Sequence, residues 1–271
     1  MSRIIICLLL FQATVSIAQV AGTAHGRSIM IDDATIHVEG SGIGEPLLLL
    51  HGFGRTWEDW RPFIPEFSKK YRVIAWDMRG HGRSSAPDTG RVFLHAEAAH
   101  DLIQLMDELG LEKVKVIGHS SGGIIALNAA AMHPERFDAI VAVSAQTRFS
   151  RQVREFIAAN CTPEDQFRYN DLEALHGKHK GTILAEQFYH FRELEGDPEI
   201  SDEQLQRITA RTLVVHGDND FIPLDEAIGI FEQIKHAHLW IVPNGWHMPH
   251  LGSNETEFIR QCLAFLNNEW K

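Results

Sequence analysis

The residues best suited to chemistry are the five from Gly118 to Gly122, which read Gly-His-Ser-Ser-Gly. They fit the pattern G-x-S-x-G with Ser120 at the centre. A serine on a sharp strand-to-helix turn has its hydroxyl pushed clear of the backbone, where it can attack a carbonyl carbon. The flanking glycines suit such a turn because a Cβ there would collide with neighbouring backbone. A helix starting at the serine aims its first amides, and the positive end of its dipole, at the oxygen that becomes negative. Five loosely specified positions recur by chance in many chains, so context decides. Here residues 114–117 read as a buried strand and 123–133 as a helix rich in Ala, Leu and Ile.

A serine hydroxyl is a poor nucleophile until a base takes its proton, and the base needs an orienting acid. The order Ser, then acid, then His is available further along the chain. Residues 211–217 read as a strand leading into Asp218-Asn219-Asp220. Residues 238–242 read as another, leading into Pro243-Asn244-Gly245-Trp246-His247. Asp218 and Asp220 are both candidate acids, and His250 stands three residues after His247 as a second candidate base. Each group follows a strand, and open α/β sheets gather ligands beyond the carboxyl ends of their strands.

The elements needed to position these groups are legible. Residues 28–31 and 34–39 read as a hairpin turning at Asp32-Asp33; 46–50, 71–76 and 137–144 read as strands. Residues 93–109, 224–234 and 254–267 carry helical periodicity. From 146 to 207 the alternation of strand and helix stops, and a polar helical pattern is interrupted at Pro163, Gly177, Gly196 and Pro198. We read 19–145 and 208–271 as one core and 146–207 as a helical cap inserted into it.

These ordered motifs resemble the α/β-hydrolase fold, in its single-domain serine esterase and haloperoxidase-like form. The resemblance runs from about Ile31 to the C-terminus and is less typical over 146–207. It implies an α/β architecture with a mostly parallel sheet of the eight-stranded type, flanked by helices and covered at the serine by a small helical cap. It implies Asp220 as the acid, closing the G-x-x-D run from Gly217, with Asp218 a turn former, and His247 as the base. His51-Gly52-Phe53-Gly54 is similar to the family's H-G-x-x loop, which implies an oxyanion hole made by the amides of Phe53 and Ser121. We expect the substrate pocket to draw on Trp57, Phe149, Ile222, Trp246 and Met248. The stretch from Asp77 to Ser85 is similar to a D-x-R-G-x-G-x-S segment that the family carries for architecture, with Asp77 and Arg79 expected to pair. A serine at the elbow sets the chain apart from epoxide hydrolases and haloalkane dehalogenases, whose elbow carries an aspartate. The implied reaction is hydrolysis of a small-molecule carboxylic ester through an acyl-enzyme, with no metal or organic cofactor. The same triad also serves lactonases, C–C bond hydrolases, amidases and perhydrolases. Some triad-bearing members act as ligand-binding or signalling proteins.

Composition is compatible with this picture. A chain of 271 residues, 44% hydrophobic and 23% charged, is ordinary for one large domain with an insertion. A formal net charge of −11 argues against nucleic acid and anionic membrane surfaces as partners. The first residues read differently: Arg3 precedes a mostly apolar stretch, too short to span a bilayer, and Ser16-Ile17-Ala18 is a small-x-small step. We expect residues 1–18 to be a signal peptide and the protein to be exported to a periplasm or the medium. Cys161 and Cys262 would remain, and their number permits a disulfide without specifying one. Among the 16 histidines, His176, His179 and His190 lack the accompanying Cys, Asp or Glu of a metal site, and His119 reads as a packing residue.

Overall fold

A computed structural model of the chain describes residues 26–85, 92–169 and 171–270. The expected signal segment 1–18 lies outside them. Among the described residues, eight strands form one sheet: β1 (Arg27–Ile31), β2 (Ala34–Ser41), β3 (Glu45–Leu50), β4 (Tyr71–Trp76), β5 (Val114–His119), β6 (Phe137–Val143), β7 (Arg211–Gly217) and β8 (Ala237–Val242). Their order is β1-β2-β4-β3-β5-β6-β7-β8. Only β2 runs against its neighbours; every pairing from β4 to β8 is parallel.

That order brings the chemistry together. β3 and β5 are adjacent, with Leu50 opposite Gly118, so the loop at Gly52 and the turn at Ser120 leave the sheet side by side. β7 and β8, which lead to Asp220 and His247, lie beyond β6 on the same side of β5.

Side chains alternate across the pleat and build two cores. Leu48, Leu50, Val116, Ile140, Ala142 and Val214 face one way, onto α2 (His95–Glu108), α3 (Ser121–Met132) and α9 (Leu224–Gln233). Leu47, Leu49, Ile117, Val141, Leu213 and Val215 face the other way. There they meet Phe63, Phe67 on α1 (Ile64–Phe67), and Phe258 and Phe265 on α10 (Glu255–Leu266). α3 is buried from Ser121 to Ala131, which is why it is apolar all round instead of striped.

The insertion folds as α4 (Arg151–Asn160), α5 (Pro163–Tyr169), α6 (Leu172–His176), α7 (Lys178–His190) and α8 (Asp202–Leu205). Its last part differs from the expected cap. Ile200 and Leu205 join the first core, and α8 packs on α3 and α9. Polar spacing around these residues hides the long-range contact that buries them.

The expected pair Asp77–Arg79 does not form. Asp77 is buried and accepts the Trp57 and Arg83 backbone N–H groups, each at 2.8 Å. Arg79 turns the other way, with Nε 2.9 Å and Nη2 2.7 Å from the Asp101 carboxylate. Backbone donors fixed by the loop outcompete a side chain two residues away. Cys161 and Cys262 are both buried and unbonded, one in the cap and one in the second core.

Candidate active site

Ser120 sits between β5 and α3 with φ 52° and ψ −121°, a conformation rarely held by a residue with a Cβ. Its N–H donates to the Val143 carbonyl at 2.8 Å, which anchors the turn to β6. The glycines are required by contact. A Cβ on Gly118 would lie 2.3 Å from the Gly122 carbonyl oxygen, and one on Gly122 would lie 2.3 Å from the Leu50 carbonyl oxygen. Gly122→Ala is therefore expected to lower stability by about 1–3 kcal/mol or more, since backbone and not a flexible side chain must yield. Denaturant unfolding measures this, and an unchanged midpoint would refute the packing argument.

Ser120, His247 and Asp220 lie in one hydrogen-bonded chain. Ser120 Oγ is 2.9 Å from His247 Nε2, and His247 Nδ1 is 3.0 and 3.1 Å from the two Asp220 oxygens. The Asp220 side chain is 0% exposed, while that of His247 is 25% exposed. Burial pushes the Asp220 pKa up. The hydrogen bond and charge of His247, with the Ile222 N–H at 3.0 Å, outweigh burial and hold it below the ordinary carboxylate value. An ionised Asp220 accepts the Nδ1 proton, which leaves the Nε2 lone pair to accept from the serine hydroxyl.

Asp218 is exposed and contributes its backbone N–H to the Val242 carbonyl. His250 is buried and stacked on Trp60, and burial pushes its pKa far down. Neither belongs to the chain through Ser120.

The two amides expected to form an oxyanion hole belong to the 51–54 loop and to the start of α3. Ser121 opens α3, so its N–H is among the first-turn donors that have no acceptor within the helix. The 51–54 loop lies against the elbow, since a Cβ on Gly52 would be 3.3 Å from Ser120 Cβ. Three buried histidines pin this loop. His51 Nδ1 donates to the Gly52 carbonyl, and its Nε2 accepts the Met78 N–H. His81 Nε2 accepts the Gly54 N–H while Nδ1 donates to the Arg79 carbonyl. His176, from the cap, donates to the Gly54 carbonyl and accepts the Gly82 N–H. Each ring gives one proton and takes one, which only a neutral imidazole can do. Burial pushes all three pKa values down, His176 to about 4. His119 donates from Nε2 to the His247 carbonyl at 2.8 Å; burial first and His247 second lower its pKa to about 3. It ties the His247 loop to the elbow.

Phe53, Phe149 and Ile222 join Val153, Leu172, Leu184 and Phe191 in an apolar cluster between cap and elbow. Phe221, which no motif marks, packs on His247 with ring centroids 4.5 Å apart and stacks on Phe156 of α4 at 4.5 Å. Two expected pocket residues are elsewhere. Trp57 is buried in the second core beside Trp60 and Phe63, because its amide is drawn to Asp77. Trp246 is 71% exposed and points to solvent. Met248 is half-buried. Among the described residues, no group of three or more His, Cys, Asp or Glu side chains could hold a metal ion.

Comparison with known proteins adds a frame to this geometry. The sequence model of the α/β hydrolase fold matches residues 45–194. The chain is 32% identical over 239 residues to the serine hydrolase BPHL of Homo sapiens, covering 82% of this chain and 80% of that one. An epoxide hydrolase of Caballeronia sordidicola is 33% identical over 158 residues, or 57% of this chain and 48% of that one. The chain spans less than half the length of this and three further epoxide hydrolases it matches, between 22% and 48%. A solved meta-cleavage product hydrolase from Pseudomonas fluorescens IP01 superposes with a TM-score of 0.73 at 26% identity, covering 90% of this chain and 98% of that one. The family model and the near full-length relative agree with the sheet order and the elbow: this chain belongs to the α/β-hydrolase fold family.

Proposed function

We propose that the protein is a serine hydrolase that cleaves small carboxylic esters through an acyl-enzyme. The observation that carries this reading is the hydrogen-bonded chain from Ser120 Oγ through His247 to Asp220. His247 Nε2 takes the Ser120 proton as Oγ attacks the ester carbonyl. The Phe53 and Ser121 amides receive the oxyanion, in a site where fixed donors need no reorganisation as charge develops. His247 then protonates the leaving alcohol, and water repeats the sequence on the acyl-enzyme. The apolar cluster of Phe53, Phe149 and Phe191 suits an uncharged acyl or alcohol group. Export before action is part of the same proposal, on the strength of residues 1–18.

A second reading has its own support. The likeness to a meta-cleavage product hydrolase over nearly its whole length favours hydrolysis of a carbon–carbon bond next to a carbonyl. A panel of p-nitrophenyl esters of graded chain length, run beside lactones and a meta-cleavage dienoate, separates the two. Turnover of esters with the dienoate slow or inert supports the first; the reverse order supports the second. In the same panel, Phe156→Ala is expected to shift the ratio of short- to long-acyl kcat/KM by roughly tenfold, within the range that a few methylenes of pocket contact provide. A uniform loss on all chain lengths, at unchanged stability, would contradict a specificity role for the cap.

A further inference from the structure

Beside the elbow runs a second hydrogen-bonded chain of the same residue types. Ser121 Oγ lies 2.9 Å from His95 Nε2, and His95 Nδ1 lies 2.7 Å from Asp197 Oδ2. His95 is fully buried, its ring packed against Phe93, Phe149 and Phe191. Asp197 belongs to the stretch between α7 and α8. It also accepts the His95 and Ala96 backbone N–H groups at 2.8 and 3.0 Å, closing the first turn of α2. Burial raises the Asp197 pKa, but the bonds from His95 and Ala96 outweigh it and keep the carboxylate below its ordinary value. An ionised carboxylate takes the Nδ1 proton. In the neutral ring Nε2 then holds a lone pair, and the Ser121 hydroxyl donates to it.

Ser121 does not share the geometry of a nucleophile. It is buried and lies inside α3, whereas the positive φ belongs to Ser120. Its amide, however, is one of the two assigned to the oxyanion, and its hydroxyl is held by a group anchored outside α3.

We propose that Ser121 Oγ is a positioning group: the Asp197–His95–Ser121 relay ties the first turn of α3 to the first turn of α2 and to the inserted segment, and so fixes the Ser121 amide for the transition state. The proposal rests on the serine hydrolase reading above. Its effect falls on the charged oxygen, which exists only in the transition state, and not on the bound ester. Removing the hydroxyl leaves the buried His95 Nε2 without its donor and frees the first turn of α3 to shift.

The test uses the full protein and the variants Ser121→Ala, Asp197→Asn and both together. For each, kcat and KM are measured on the best p-nitrophenyl ester, with Ki for a trifluoromethyl ketone of the same acyl length. The ketone forms a hemiketal oxyanion and so reports on the hole directly. Either single variant is expected to lose about tenfold in kcat with KM within twofold, and Ki is expected to rise by the same factor. The double variant should lose no more than the worse single one, because both break one chain. Ser121→Ala removes one buried oxygen and leaves the α2 cap intact, so it decides the matter if Asp197→Asn fails to fold. Wild-type kcat and Ki in Ser121→Ala, whatever its melting temperature, would overturn the relay alone. A wild-type protein that turns over no ester and is not labelled by a fluorophosphonate would overturn the serine hydrolase reading, and the relay with it.

Discussion

Ser120→Ala is expected to lower ester turnover by on the order of 10⁶, with the folded state intact. The size follows from what the substitution removes: the only atom proposed to bond the acyl carbon, and nothing of the scaffold. The positive φ at Ser120 is held by neighbours, namely the Val143 carbonyl and the close approach of Gly118 to Gly122, none of which touches Oγ. The melting temperature should therefore move by no more than a few degrees, while labelling by a fluorophosphonate disappears. His247→Ala should cost about as much, since a serine without its base is nearly as inert as no serine. The double variant Ser120→Ala/His247→Ala should be no worse than either single change, because the two act as one unit. Near-wild-type turnover in Ser120→Ala would place the nucleophile elsewhere and end the proposed mechanism.

How much of this was legible in the sequence depended on the range of the determining contact. The elbow was legible because a five-residue pattern carries it: Gly118 faces the backbone of its own turn, although Gly122 faces the Leu50 carbonyl of β3. Strands β4 and β7 were legible to the residue, because buried parallel strands are apolar runs bounded by turn formers. The pairing of Asp220 with His247 was anticipated from two loops at strand ends and a family pattern; the hydrogen bonds themselves depend on β7 and β8 lying side by side. What the sequence hid was set by partners far along the chain. Asp77 looked like a partner for Arg79, two residues away, but the fold offered it the amides of Trp57 and Arg83. Trp57 looked like a pocket aromatic and became core for the same reason. His176 looked like an unremarkable cap histidine, yet it closes a bond with Gly54 across more than a hundred residues. His95 and Asp197 carried no motif at all, and only the packing of the inserted segment on α2 brings them together.

The second large effect is expected from the acid. Asp220→Asn keeps the volume and the Ile222 contact but should cost on the order of 10⁴ in kcat. The reason is a tautomer. Asp220 accepts at both oxygens from the one His247 Nδ1, at 3.0 and 3.1 Å, and Ile222 N–H occupies Oδ1 as well. An asparagine that keeps its carbonyl on Ile222 N–H turns its NH₂ towards Nδ1. The ring then moves its proton to Nε2, where it faces Ser120 with nothing to accept. The lost negative charge also removes what would stabilise the imidazolium as the serine proton arrives. Asp218→Asn should change kcat by less than twofold, because that side chain is exposed and outside the chain of hydrogen bonds. The two variants differ by two positions and by the same pair of atoms, so their contrast isolates the hydrogen bond from any general effect of charge near the site. The pH profile gives an independent check. Asp220 has its pKa lowered, so it stays ionised while pH falls through the range in which an imidazole gains a proton, and it protonates only below its ordinary value. Activity should therefore rise with pH through one ionisation on the acid side. Two resolved acid ionisations, or an Asp218→Asn variant as impaired as Asp220→Asn, would mean that the carboxylate orienting His247 has been misassigned.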